Sequence, residues 1–321
     1  MGRTDLGRQV RQRGLILLLL AVLADTRTGA SASRVSLAPA ATIRLSGAAA
    51  SSVAATASGL WVTHHESSIL SYVDPVTDRE SATLEVGPSA ASVTESLGSL
   101  WLAHYAGLPA ESGLTRVDPA TGRVALRVPV PSLCCEAAGG LGKVWAVDPR
   151  GALLAFDPFD GRPLSTTPVL LAPNVHVGLM ADDRAVWVGS DTTPLLKVDP
   201  ASAAVVATID VGGGIPMTIA HDLVWGAGPN HVWAVDAVTG ERRITLALQD
   251  TIEVFSLAVT DAAIWAGVRR PGYVGRVLRL DRATGQLTGE AEVALPARLV
   301  HAHGAVYVVD WQTNSLLRFS P

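Results

Sequence analysis

The chain has 321 residues, of which 48% are hydrophobic and 17% are charged, and it contains 30 glycines and 19 prolines. This composition is typical of many short buried segments joined by turns, and the length suits one large domain or two small ones. Without its first 32 residues the chain carries 20 basic and 27 acidic residues, a net charge of −7, which argues against nucleic acid as a partner because that surface repels phosphate backbones.

The N-terminal segment has the pattern of an export signal. An arginine-rich stretch over residues 3–13 precedes an apolar run of eleven residues, 14–24. About 20 apolar residues are needed to cross the bilayer core, so the run suits a signal peptide better than a permanent anchor. The sequence predicts a signal peptide over residues 1–32, cleaved after Ala32 or alternatively after Ala24. The mature protein is expected outside the cytoplasm, secreted or in the cell envelope, with a tether only if the signal stays uncut.

The rest of the chain is an internal repeat. An aromatic residue within a short apolar run recurs at intervals of 38 to 44 residues: Trp61, Trp101, Trp145, Trp187, Trp225, Trp265 and Tyr307. A turn motif follows most of these aromatics, with the sequences Asp74-Pro75, Asp118-Pro119, Asp157-Pro158, Asp199-Pro200, Asp236-Ala237 and Asp281-Arg282. Self-similarity at this period indicates a repeat architecture in which each unit buries its apolar faces against its neighbours.

Each repeat divides into four predicted strands. In the second repeat these are residues 91–94, 100–103, 114–117 and 123–130. Between the last two lies Asp-Pro-Ala-Thr-Gly, in which proline presets φ and glycine takes a left-handed conformation, as in a hairpin loop. Four short strands at this spacing are typical of a propeller blade. The sequence predicts an all-β fold, a seven-bladed β-propeller of four antiparallel strands per blade, as a single domain over residues 33–321.

Closure of the ring is also predicted. The last repeat supplies three strands, near residues 298–300, 305–309 and 315–319, and then the chain ends. A fourth strand is available before the first blade, at residues 42–45. We expect it to pair beside residues 316–319, so that both ends of the chain build the seventh blade.

The repeated pattern Leu-Trp-(Val/Leu)-Ala followed by (Arg/Lys)-Val-Asp-Pro-Ala-Thr-Gly resembles the secreted YVTN-type and NHL-like seven-bladed propellers, which include the streptogramin lyases. The resemblance covers residues 42–321. It implies an exported propeller and, as one possible activity, metal-assisted lyase chemistry. The local motifs that hold the catalytic His and Glu of those lyases are not found here, so none of their residues is assigned to this chain.

The position three residues after each aromatic is the most informative one for function. Around the ring it holds His64, His104, Asp148, Ser190, Gly228, Val268 and Asp310. Because blade seven adjoins blade one, Asp310, His64, His104 and Asp148 form a continuous arc at the mouth of the channel. Two His and two Asp there are suited to a divalent metal ion or to proton transfer. The other interpretation is that they are solvated loop residues that hydrogen-bond turn backbone.

The two cysteines, Cys134 and Cys135, are adjacent and open the predicted inner strand of blade three. In an oxidising compartment they have no other partner in the chain. They form either a strained disulfide with each other or two buried free thiols. Glu136 follows them and would face the channel beside the arc. With His64 and His104 it completes the set of candidate catalytic residues.

Two long insertions after the aromatic strands mark the same face of the ring, at residues 105–113 in blade two and 268–275 in blade six. Binding residues concentrate in such loops. The candidate ligand-binding residues are Tyr105, Cys134, Cys135, Arg269 and Trp311, the last of which interrupts the repeat as a platform for a flat ligand.

Two functions fit these observations. The first is an exported propeller, expected to be a monomer, that binds a small molecule or a partner protein at the channel mouth. The second is a metal-assisted lyase or hydrolase, in which a metal polarises a carbonyl group and a histidine abstracts a proton. Binding is favoured because the chain has no recognisable catalytic motif.

Overall fold

The structure, a computed structural model, describes residues 35–105, 112–131, 133–148, 150–169 and 176–321, and of Cys134 and Cys135 it describes only the backbone. These residues form 29 strands and no helix. In the described part of the chain, no helix is long and apolar enough to span a membrane. The N-terminal segment with the predicted export signal and most of the blade-two insertion lie outside the described residues.

The strands form seven sheets in chain order. Two N-terminal strands, β1 (Val35–Ser36) and β2 (Ala41–Arg44), come first. Blade 1 contains β3 (Ala50–Ala55), β4 (Leu60–His64), β5 (Ile69–Asp74) and β6 (Arg79–Glu85). Blade 2 contains β7 (Ala90–Ser96), β8 (Ser99–His104), β9 (Gly113–Asp118) and β10 (Arg123–Pro129). Blade 3 contains β11 (Cys134–Gly140), β12 (Lys143–Val147), β13 (Ala152–Phe156) and β14 (Pro163–Pro168).

The remaining four blades repeat the plan. Blade 4 contains β15 (Val177–Ala181), β16 (Val186–Ser190), β17 (Leu195–Val198) and β18 (Val205–Ile209). Blade 5 contains β19 (Met217–Ala220), β20 (Leu223–Gly228), β21 (His231–Asp236) and β22 (Arg242–Ala247). Blade 6 contains β23 (Glu253–Val259), β24 (Ala263–Arg270), β25 (Val274–Asp281) and β26 (Leu287–Glu292). Blade 7 contains β27 (Pro296–Ala302), β28 (Ala305–Asp310), β29 (Ser315–Phe319) and, as its fourth strand, β2.

The first strands of the blades surround a central channel. Each packs on the next, in the order β3, β7, β11, β15, β19, β23 and β27, and β27 packs back on β3. The predicted fold is therefore confirmed, including the number of blades. Closure is also as predicted: β2 pairs antiparallel with β29, with Ile43 opposite Leu316.

The strand β1 is a feature that the sequence did not predict. It adds in parallel to the outer strand β26 of blade 6, with Val35 opposite Gly289. The side chain of Leu37 occupies the hollow at Gly289, where a Cβ atom would lie 2.8 Å from it. The N-terminal segment thus holds the outer edges of two neighbouring blades.

The repeated aromatics pack between blades, as the sequence predicts. Seven clusters of buried apolar side chains are present in the described part of the chain, one between each pair of neighbouring blades. Trp101 and Trp145 are fully buried in two of them. Burying a large apolar side chain contributes about 1.5–3 kcal/mol, so this one repeated position supplies much of the stability of the ring.

The turns that begin at the repeated aspartates and end in Thr-Gly have the predicted geometry. Gly122, Gly240 and Gly285 have φ values of 61°, 74° and 71°, in the left-handed region that glycine adopts without strain. The carboxylate of Asp236 accepts the backbone N–H of Thr239, and this hydrogen bond is the main reason that its pKa is lowered to about 2. These turns therefore stay charged and structured across the physiological pH range.

Candidate functional site

We call the face at which the inner strands begin and the second strands end the upper face, and the opposite face the lower face. The register places Ala50 opposite His64 and Ala90 opposite His104. The predicted residues at the ends of the second strands therefore lie at the upper face. Each lies beside the linker that enters the inner strand of its own blade.

His64 is fully buried, with 0% of its surface exposed. Its Nε2 atom lies 2.8 Å from the hydroxyl oxygen of Ser71, on the next strand of the same blade. Its imidazole fills the hollow at Gly47 in the entering linker, where a Cβ atom would lie 2.3 Å from the ring. His64 therefore fills space in the blade and does not face the channel mouth.

His104 has a related role in blade 2. It is 4% exposed, and its Nδ1–H donates to the carbonyl oxygen of Pro88, at 2.8 Å. Pro88 belongs to the linker that enters β7. The Nε2 atom of His104 is buried and has no hydrogen-bond partner among the described residues. The ring therefore fits the site in its neutral form.

The two aspartates also bind backbone. Asp310 accepts the N–H groups of Ala294 and Leu295, at 3.2 and 3.0 Å, and so holds the linker of blade 7. Asp148 accepts the N–H groups of Arg150 and Ala152, at 2.9 and 3.1 Å, and pairs with the Arg150 guanidinium at 3.0 Å. Both carboxylates are buried and satisfied within their own blades.

The expectation that these four side chains stand exposed at the channel mouth is wrong. The residue type varies because each linker presents a different group, a carbonyl oxygen to His104 and N–H groups to Asp310. Among the residues that the structure describes, no group of three or more His, Cys, Asp and Glu is placed to hold a metal ion. A divalent metal ion at these residues stays a prediction from the sequence that no described cluster supports.

The buried histidines predict how stability depends on pH. Burial lowers the pKa of both imidazoles below the ordinary value of about 6.5. Between the lowered and the ordinary pKa, the unfolded chain binds more protons than the folded one. The contribution of the two neutral imidazoles to the free energy of unfolding is therefore complete above about pH 6.5. It is lost as the pH falls toward the lowered pKa values that these imidazoles have in the folded protein. We expect the free energy of unfolding to fall from about pH 7 to about pH 5, less steeply in His64→Gln/His104→Asn. Urea titrations at each pH measure this, and equal slopes would contradict it.

Glu136 lies in the channel, as predicted, but is engaged in structural contacts. The pairing of β11 with β12 shifts between Cys134 and Ala137, and this bulge carries Glu136. Its carboxylate pairs with the Arg298 guanidinium across the channel, at 2.9 Å, and accepts the N–H of Leu179 in blade 4, at 3.1 Å. No described contact links it to His64 or His104, so the structure does not bring the predicted catalytic set together. The side chains of the two cysteines lie outside the described part, and their redox state stays a prediction.

Two of the predicted ligand-binding aromatics lie at the upper face. Tyr105 is 44% exposed at the end of β8. Trp311 is partly buried, and its backbone N–H donates to the carbonyl oxygen of Leu295. The centroid of its ring lies 5.8 Å from that of the His65 imidazole. Both are available to a ligand above the ring.

The insertion in blade 6 is mainly strand, although the sequence predicted a loop. Both β24 and β25 are eight residues long, so their hairpin carries Tyr273 at its turn. Tyr273 is 79% exposed, with a φ of 61° that strains a bulky side chain. The Arg269 guanidinium lies 5.3 Å from the rings of both Phe255 and Tyr273 and pairs with Glu253. Phe255 and Glu253 had no distinguishing sequence signal.

A small pocket lies beside this hairpin at the upper face. It has a volume of about 130 Å³ and is lined by loops of blades 4, 5 and 6, including Ile215, Pro229 and Ile252. Ile252 is 46% exposed. Polar groups on one side come from His176 and Asp191, whose side chains lie 3.7 Å apart. The sequence analysis did not predict this pocket, because it forms between residues of separate blades that are distant in the sequence.

No protein-family model and no curated protein matches the chain. Among solved structures, hydrazine synthase from Kuenenia stuttgartiensis is similar with a TM-score of 0.71 and 12% identity, over 87% of this chain and 97% of that one. BamB from Moraxella catarrhalis is similar with a TM-score of 0.63 and 15% identity, over 89% of this chain and 100% of that one. At these identities the likeness supports the propeller fold alone.

Proposed function

We propose that this protein is an exported propeller that binds a partner protein through its upper face, with the blade 6 hairpin as the main contact. The observation that carries the proposal is Tyr273, a large aromatic that is 79% exposed in a left-handed conformation. Such strain costs about 1–3 kcal/mol, and Tyr273 is the only Tyr, Trp or Phe among the described residues that adopts this conformation. Among the residues that the structure describes, no packing explains a tyrosine at this turn, since its contact with Arg269 leaves most of the residue in solvent.

The surroundings of Tyr273 match the composition of protein interfaces. Tyr, Trp and Arg dominate the binding energy of such interfaces because they present large, stiff contact surfaces. Arg269 is held by Glu253 and by two aromatic rings, so little entropy is lost when a partner contacts it. Tyr105 and Trp311 extend the aromatic surface to blades 2 and 7. The pocket of about 130 Å³ suits one apolar side chain of the partner and is smaller than the roughly 300 Å³ at which small-molecule sites begin.

The cellular location in this proposal rests on the predicted signal peptide and on the resemblance to secreted propellers of the YVTN type. The lyase is not proposed, because no contact of the described residues favours it. A small molecule held at the same mouth remains the other form of binding, and the experiment below separates the two.

Photo-crosslinking in the producing cell tests the proposal. We replace Tyr273 with p-benzoylphenylalanine and, as a matched control, Phe159 on the lower face, which is 81% exposed. Discrete protein adducts are expected at position 273 and not at 159. Equal adducts at both positions, or none at position 273, would contradict a partner at the upper face.

Tyr273→Asn then measures the contribution of the ring. Asparagine tolerates a positive φ, so the fold is expected to keep or raise its Tm. The Kd for the crosslinked partner is expected to weaken at least about tenfold, while Phe159→Asn leaves it unchanged. An unchanged Kd in Tyr273→Asn would remove blade 6 from the interface, and binding of a small molecule without any adduct would favour the other form of binding.

A further inference from the structure

The channel contains a cavity of about 310 Å³ between the inner strands. Small-molecule sites start at about this size. Residues from the first strands of all seven blades line it, and among them Arg298 is the single basic residue and Glu95 the single acidic one. In a propeller the faces of each sheet pack on neighbouring blades, so the edge of each inner strand faces the channel. The cavity is therefore surrounded by main-chain polar groups.

One repeat position ties neighbouring inner strands together at the upper end of this cavity. Ser256 accepts the N–H of Leu299 in the next blade, at 2.8 Å, and Ser52 accepts the N–H of Val93, at 3.4 Å. Glu136 occupies the same position in blade 3 and accepts the N–H of Leu179, at 3.1 Å. The channel thus already binds a carboxylate through an inner-strand amide and a guanidinium.

Arg298 occupies this repeat position in blade 7, where it has no oxygen to offer the next blade. Its Nη1 atom donates to Glu136 at 2.9 Å. The Nε and Nη2 groups of Arg298 have no hydrogen-bond partner among the described residues. Neither group is buried, so both are accessible from the channel. The guanidinium is therefore half-satisfied, and it lines the cavity.

We propose that the channel cavity is a binding site for a small carboxylic acid, held by the free N–H groups of Arg298. A guanidinium binds carboxylates with two parallel charge-assisted hydrogen bonds, stronger than those between neutral groups. Thr94 and Thr218 line the same cavity, and a threonine hydroxyl group can donate a further hydrogen bond. Glu95 lies three residues further along its inner strand than the level of Arg298, about 10 Å away at the strand rise. Among the described residues, Glu136 is therefore the one carboxylate that competes for the guanidinium at this level.

This site is separate from the proposed partner surface. Arg298 lies in the inner strand β27, whereas Tyr273 lies at the turn of the blade 6 hairpin. Glu136 supplies one carboxylate to Arg298 and orients the guanidinium so that the carboxylate of a ligand can bind to its other side. The proposed site therefore gives Glu136 a defined role. Loss of the pair is expected to change carboxylate binding without changing the contact at Tyr273.

Thermal unfolding in sodium acetate, compared with sodium chloride at equal ionic strength and about pH 7.5, tests the proposal, because the histidines are neutral there. Acetate is expected to raise the Tm of the wild-type protein, since a ligand that binds the folded state alone stabilises it. The rise is expected to vanish in Arg298→Met and to grow in Glu136→Gln, which removes the negative charge that competes with the ligand for the guanidinium.

Saturation-transfer NMR with acetate gives the affinity directly, and Arg298→Met is expected to weaken it at least about tenfold. If that variant does not fold, Arg298→Lys keeps the charge, loses the paired hydrogen bonds and is expected to weaken binding in the same direction. Tyr273→Asn is the control and is expected to bind acetate as the wild type does. An equal Tm rise in Arg298→Met, or no binding in either wild type or Glu136→Gln, would overturn the proposal.

Discussion

Deleting residues 35–45 is expected to unfold the whole ring rather than only its N-terminus. The segment contains β2, whose four residues pair with β29 and complete blade 7. It also buries Ile43 and Leu45 between blades 7 and 1. Two lost apolar side chains and the strand's hydrogen bonds amount to roughly 5–10 kcal/mol, comparable to the total stability of about 5–15 kcal/mol of a typical domain.

A shorter deletion provides the matched control for this result. Removing residues 35–38 takes away β1 and Leu37 but leaves β2 in place. The Tm is then expected to fall only moderately, because β1 pairs through two residues on the outside of an already complete blade. Circular dichroism melting and size-exclusion chromatography compare the two truncations. A monomeric protein with unchanged Tm after the longer deletion would contradict the assigned closure.

His64→Ala is expected to destabilise the protein by about 2–4 kcal/mol, with the same sign for His104→Ala. The imidazole of His64 is fully buried against Gly47 and hydrogen-bonds with Ser71, so its removal leaves a cavity and an unpaired hydroxyl group. An exposed catalytic or ligand-binding histidine would change stability by less than about 0.5 kcal/mol. The measured loss therefore separates a packing role from an exposed site.

Urea unfolding of His64→Ala and of Glu66→Ala gives the comparison. Glu66 lies two residues further along the same turn and is exposed, so its replacement is expected to have little effect. If His64→Ala changes the free energy of unfolding no more than Glu66→Ala does, within error, His64 is an exposed residue and has no packing role. A loss of binding in a histidine variant can be assigned to a site only after its loss of stability is measured. A less stable ring lowers the fraction of folded protein, and every activity depends on that fraction.

Much of the architecture could be predicted from the chain itself. The recurrence of Trp61, Trp101 and the later aromatics predicts seven blades because each repeat must bury its aromatic against a neighbour. The surplus strand at the start and the missing strand at the end predict the closure between β2 and β29. These features depend on local periodicity and on counting strands, and both can be read along the sequence.

The candidate site could be predicted only in part. Glu136 lies in the channel, and Tyr105, Arg269 and Trp311 lie at the face where the second strands end, as the sequence predicts, while their catalytic or ligand-binding roles stay predictions. The burial of His64 and His104 could not be predicted, because a polar residue at a strand end has the same pattern whether it meets solvent or a linker of its own blade. Which linker atom it meets, such as the carbonyl oxygen of Pro88, depends on the path of the chain between blades.

The sequence by itself determined the fold, the number of blades and the closing strand, since the repeated aromatic residues indicate what every blade must bury. The tertiary structure alone decided the contacts between distant blades. Glu136 and Arg298 lie 162 residues apart, yet they meet because closure of the ring brings blades 3 and 7 to opposite sides of one narrow channel. Within blade 6, Phe255 and Tyr273 both lie near Arg269 because β24 pairs with β23 on one side and with β25 on the other. Local periodicity contains no information about distances across a ring, and those distances decide which side chains meet.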